Sequence, residues 1–313
     1  MGFLSHREAF GRSLQEYGGI NKHIVVLDAD TSSSTMSRIF AERYPERFIN
    51  VGIAEPCLID VSVGMALGGY IPFVNAFSAL LSLRALEQIR TCIAYANMNI
   101  KIAAAYSGLS DFKDGPTHHS IMDIGIMRML PGMTVIVPAD EIEIKEWIPI
   151  IAEYEGPIYF RLSRAGSEVV HKTKPILEIG KGIVLREGDD VCIIAVGLMV
   201  SRCLQASELL AEKGVSVSVV EMPSIKPLDE ELILDMASKT KAFVSAEEHS
   251  IIGGLGGAVA EVLASKHPIP LERIGINDTF ARTAPDPDSL LDAYGMGVDE
   301  IIMACNSVLE RKK

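Results

Sequence analysis

A single carboxylate, Glu55, stands in the run Asn50-Val51-Gly52-Ile53-Ala54-Glu55-Pro56, where an ordinary surface acid has no reason to be. The stretch that follows, Cys57 through Leu67, reads as a buried helix. A carboxyl group there is stripped of water, so it needs a hydrogen-bonding partner and its neutral form is favoured. Two roles fit: a structural acid at a helix start, or a perturbed acid in a reactive site. A second feature is Asp114-Gly115-Pro116-Thr117-His118-His119, between an apolar run ending near Tyr106 and a helical stretch. Open α/β sheets bind ligands on loops at the carboxyl ends of their strands. An acid, a small-residue turn and two imidazoles there suit a polar, hydroxylated or phosphorylated small molecule; the alternative is a plain polar turn. No metal ligands are assigned, because adjacent histidines diverge and no further ligand has helical i, i+4 spacing.

The elements that must position these residues alternate between strand and helix. Short continuous apolar runs predict strands at 23–27, 102–106, 134–137 and 158–162, as in a parallel sheet covered on both faces. Helical spacing of Leu80, Leu83, Leu86 and Ile89 predicts a helix over 79–98. A capping box, Asp140 with Glu143, opens another that runs to about 154. Residues 167–190 lack a clear period and read as a linker. Beyond them strands are expected at 191–196, 215–221 and 242–246, with helices at 202–213 and 257–265. The fold class is therefore α/β: two three-layer α/β/α domains, a mainly parallel-sheet domain over 1–180 and a smaller one over 181–313, with no internal repeat.

Composition narrows the partners. The 313 residues are 48% hydrophobic and 22% charged, enough for two substantial cores. A net charge of -12 argues against nucleic acid, which would want a basic face. The five cysteines (Cys57, Cys92, Cys192, Cys203, Cys305) show no CxxC spacing and fit reduced thiols better than disulfides or zinc. The N-terminal residues 1–8 lack the apolar core of a signal peptide, and no run reaches the length of a membrane span. The expectation is a soluble, cytoplasmic protein.

Four ordered segments carry a resemblance: Phe48-Ile49-Asn50-Val51-Gly52-Ile53-Ala54-Glu55, Gly68-Gly69-Tyr70-Ile71-Pro72-Phe73, Asp114-Gly115-Pro116-Thr117-His118, and Leu162-Ser163-Arg164. With them, nearly the whole chain resembles the C-terminal half of transketolase, its thiamine-pyrimidine-binding domain followed by the small transketolase C-terminal domain. The resemblance implies thiamine diphosphate and Mg²⁺, divided between two chains. It implies that Glu55 hydrogen-bonds N1′ of the aminopyrimidine and favours the imino tautomer that removes the thiazolium C2 proton. It gives catalytic roles to Glu55 and His118, places Phe77 and Leu80 against the pyrimidine, and assigns Arg7, Ser34, Asp114, His118 and Arg164 to a sugar phosphate. A two-carbon ketol unit would then pass from a ketose phosphate to an aldose.

The family's Mg-diphosphate signature, Gly-Asp-Gly followed by Asn, is not found. The resemblance therefore implies a partner carrying the N-terminal half, in an α2β2 assembly. Gly253-Gly254-Leu255-Gly256-Gly257 reads as packing and turn geometry. The chain departs from the family at Tyr106, where a histidine is expected, at Asp111-Phe112-Lys113, and at Leu80 and Leu83, where aromatics are expected. These departures leave the sugars open. Three other readings remain: the beta subunit of a 2-oxoacid dehydrogenase, a 1-deoxyxylulose-5-phosphate synthase-like enzyme, and a non-catalytic module.

Overall fold

The apolar runs of the first half become strands with little change in register. In the computed structural model, which describes residues 4–312, the strands are β1 (Ile24–Asp28), β2 (Phe48–Asn50), β3 (Ile71–Phe77), β4 (Lys101–Ala105), β5 (Thr134–Ile136) and β6 (Ile158–Arg161). In the second half they are β7 (Ile183–Arg186), β8 (Val191–Ala195), β9 (Val217–Glu221), β10 (Ser224–Lys226), β11 (Phe243–Ser250) and β12 (Leu271–Ile276). The first sheet runs β10-β5-β6-β4-β3-β1-β2 and the second β12-β11-β8-β9-β7. All pairs are parallel except the two edges β10 and β7. The residues before 4 in the N-terminal segment lie outside the described residues, and no helix among those described is long and apolar enough to cross a membrane.

Strand β10 breaks the expected division of the chain: it belongs to the second half in sequence and pairs with β5 of the first sheet. One apolar core runs from Leu27, Val74 and Ile102 through Ile194, Val220 and Phe243 of the second sheet. Phe10, Phe73, Trp147 and Phe160 fill the opposite face of the first sheet, under helices His6–Ile20 and Glu141–Glu153.

Several expectations change. The region read as a linker ends in β7, an antiparallel edge strand whose apolar period is too short to register in sequence. The single helix over 79–98 is instead two short helices, Ser78–Leu83 and Leu86–Gln88, followed by a π-turn at Ile89–Ala94. The ladder widens where Ala85 N–H donates to the Leu80 carbonyl five residues back, a change that side-chain spacing cannot reveal. Helix Glu55–Leu67 forms, but only Glu55, Leu58, Ile59 and Ser62 are buried, and Leu67 is 75% exposed.

Candidate active site

Because β1 to β6 are mutually parallel, their carboxyl ends share one edge of the sheet. Each strand end there leads to a residue named in sequence: β1 to Ser34, β2 to Glu55, β3 to Phe77, β4 to the 106–119 loop, β6 to Arg164.

Gly52 takes φ 75°, which turns the chain from β2 into helix Glu55–Leu67. Glu55 is its first residue and is 1% exposed. Arg84 Nη1 donates to Glu55 Oε2 at 2.9 Å, whereas Oε1 is buried without a hydrogen-bond partner. Sequence reasoning missed Arg84. The signal was indirect: a buried carboxyl needs a donor, and an arginine follows the leucine run.

Phe77 closes β3 and precedes the helix that carries half-buried Leu80 and exposed Leu83 and is capped by Arg84. Its ring lies 4.5 Å from that of Tyr106 and 5.9 Å, edge-on, from His118. Tyr106 has φ 60°, a left-handed conformation costly for an aromatic residue, immediately after β4. It lies between two guanidinium groups, Arg7 and Arg164, each 5.2 Å from its ring centre. Arg7 Nη1 donates to Tyr106 Oη at 2.7 Å and to the backbone carbonyl of Ser34 at 2.6 Å. The Ser34 loop is pinned by Asp28, whose carboxylate accepts from Thr31 N–H, Thr35 Oγ1 and Ser37 Oγ.

Arg164 Nη1 donates to Asp111 Oδ1 at 2.8 Å. Burial raises the pKa of Asp111, and the neighbouring Asp114 carboxyl raises it further, against the pull of Arg164. Its second oxygen, Oδ2, is buried without a partner. Asp114 is exposed on the loop and His118 half-buried, with Nδ1 3.0 Å from Thr117 Oγ1. His119 turns inward: burial lowers its pKa, and as a neutral ring its Nε2–H donates to the Asp111 carbonyl at 3.1 Å. The paired histidines thus diverge as expected.

A buried polar network holds these parts together. Ser78 Oγ meets Tyr159 Oη (2.5 Å), Ser120 Oγ (2.8 Å) and Asp123 Oδ2 (3.0 Å). Arg161 Nε donates to Asp123 at 2.8 Å. Burial alone would raise the Asp123 pKa; the Arg161 and His249 charges and the hydrogen bonds from Arg161 and Tyr159 together more than offset it and hold it below its usual value. From the second sheet, Glu248 Oε1 accepts Leu109 N–H at 2.7 Å and its carbonyl accepts from Arg161 at 2.9 Å. The glycine run before helix Leu255–Lys266 is filled internally: Glu247 accepts the N–H groups of Leu255 and Gly256.

The structure therefore groups Arg7, the Ser34 loop, Tyr106, Asp111, Asp114, His118 and Arg164 around Phe77. Glu55 is joined to that group through the Phe77–Arg84 segment. The residues fit an aminopyrimidine: Glu55 Oε1 is a buried polar atom that lacks a partner, beside the segment that carries Phe77 and Leu80.

A parallel sheet with an acid and a cationic cluster on its carboxyl edge, joined to a second α/β domain, defines a two-domain α/β protein with an enzyme-type site. The family model of the transketolase pyrimidine binding domain matches residues 4–168, and that of the transketolase C-terminal domain matches 180–301. The chain belongs to the transketolase family. It is 46% identical over 94% of its length to a Methanocaldococcus jannaschii protein whose name assigns it to the transketolase C-terminal section, covering 93% of that protein. It is 39% identical to a 6-deoxy-6-sulfo-D-fructose transketolase subunit SqwH of Clostridium sp. (98% of this chain, 95% of the relative). A solved structure described as a split gene transketolase, inactive beta4 tetramer, superposes with TM-score 0.92 at 44% identity, covering 99% of this chain and all of the other.

Proposed function

We propose that the chain is the C-terminal subunit of a split transketolase, moving a two-carbon ketol unit from an anionic ketose, such as a ketose phosphate, to an aldose. The observation that carries the reading is the unpartnered Glu55 Oε1, a buried acceptor on an otherwise apolar helix start. Left without a partner, such an atom costs about 1–3 kcal/mol, so a ligand nitrogen there is favoured. When bound, thiamine diphosphate supplies the nucleophilic carbon and the electron sink. In this reading Glu55 holds the aminopyrimidine N1′ and exchanges a proton with it, with Arg84 fixing the carboxyl orientation through Oε2. Phe77 and Leu80 cover the ring. Arg7 and Arg164 supply forked donors for a substrate anion, and Asp114 and His118 face its hydroxyl groups.

The diphosphate and Mg²⁺ fall to a partner subunit that carries the other half of the site. Exposed apolar side chains flanking the Glu55–Leu67 helix, Ile53 and Leu67, and on the 78–95 segment, Leu83 and Tyr95, support that partnership and self-association. The test is ketol transfer from ketose phosphates by the chain mixed with its partner. Transfer that disappears in Glu55→Gln supports the reading. Equal turnover of the variant refutes it.

A further inference from the structure

Away from this site, the domain junction buries an acid-rich cluster that the proposed reaction does not use. Asp140 and Glu143 stand at the start of helix Glu141–Glu153, Glu221 ends β9, and His171 comes from the segment between the sheets. All four are buried. The ligand atoms of Glu143, His171 and Glu221 lie within 4.8 Å of one another. Three buried carboxylates facing one imidazole are a charge excess that the site must compensate.

Two observations point to a ligand. Neither oxygen of Glu221 meets a donor in hydrogen-bonding geometry, and neither does His171 Nε2, although Nε2 and Oε2 approach to 3.0 Å. That off-line approach is what two ligands of a common ion make. On its other side His171 Nδ1 lies 3.1 Å from Asp140 Oδ2, which also accepts the Val170 and His171 N–H groups. A carboxylate on one ring nitrogen that aims the other at a cation is the usual support of a metal-bound histidine. Glu143 is held likewise, its oxygens accepting from Trp147 Nε1 (2.7 Å) and Ala139 N–H (2.5 Å).

We propose that Glu143, His171 and Glu221 form a structural site for a divalent cation of the zinc class, with Asp140 as the positioning residue. His171 enters neutral, its Nδ1–H donated to Asp140. One oxygen from each glutamate and His171 Nε2 make three protein donors, so the fourth position of a four-coordinate ion falls to a second Glu221 oxygen or to water. One ligand comes from each side of the junction and one from the segment between, so the ion ties the two sheets together.

The experiment is elemental analysis of the full chain with its partner, loaded with Zn²⁺ alone and gel-filtered, alongside the Co²⁺ absorption spectrum. We expect one bound ion per chain, a Co²⁺ visible band, and loss of both in Glu221→Gln and in His171→Gln. Asp140→Asn, which keeps a helix cap, should weaken Zn²⁺ affinity by about 10- to 100-fold. A wild-type chain without bound ion, or variants that hold as much as wild type, overturns the site. The cluster is then a metal-free network in which His171 is an imidazolium between Asp140 and Glu221.

Discussion

Glu55 and Arg84 form the smallest unit of the site. An acid in an apolar run is visible in sequence because its surroundings contradict its chemistry. Arg84 was not, because an arginine at the end of a leucine-rich helical pattern reads as its solvent face. The same limit applies to Asp111. Its departure from the family pattern is legible, but its bond to Arg164 depends on the fold of two distant loops. Glu55→Gln should lower kcat by roughly 10²–10⁴-fold, the usual share of a positioned proton-transfer group, while gel filtration shows unchanged assembly. Arg164→Ala removes a charge-assisted contact of about 1.5–3 kcal/mol, so KM for phosphorylated sugars should rise roughly 10- to 100-fold with kcat less affected. An unchanged KM would take Arg164 out of the anion site.

Among elements, the 106–119 loop depends on a residue from the second sheet. A Cβ on Gly108 (φ 62°) would sit 2.4 Å from the Glu248 carboxyl carbon, so Gly108→Ala should cost about 1–3 kcal/mol and appear as a lowered Tm. Burial raises the pKa of Glu248 from 4.5 to about 7. An acid whose folded pKa is raised holds its proton more tightly when folded. Its contribution is therefore complete below about pH 4.5 and is lost as pH rises through about 7. That contribution is on the order of 3 kcal/mol. Urea titrations across this window should show a slope for wild type that Glu248→Gln flattens; identical slopes would dismiss the effect. Strands β1, β4 and β8 were legible because burial on both faces makes them almost continuously apolar, whereas the longer β3 and β12 were not, because Pro72 and Asn75 interrupt one and Glu272 and Arg273 the other. Strands β2, β7 and β10 were not: each is a short strand at the edge of its sheet, paired on one side only, and β10 owes its existence to β5. Gly253 to Gly257 read correctly as packing, since Glu247 fills the helix start.

At the scale of the whole molecule, β10 and Glu248 make the second domain part of the first domain's support. A chain cut near residue 180 loses the edge pairing of β5 and the anchor of Leu109. We expect it to aggregate or to show a broadened, non-cooperative unfolding transition; a sharp, soluble transition would contradict that dependence. The exposed Ile53, Leu67, Leu83 and Tyr95 argue that the molecule is in turn one part of a larger assembly. On the proposed reading, this chain holds only the pyrimidine side of a shared site. Calorimetric titration of thiamine diphosphate with Mg²⁺ tests it most directly, first with the chain alone and then with the subunit that carries the diphosphate-binding half. Binding in the mixture and none by the chain alone is the predicted result. Full binding by the chain alone would contradict it.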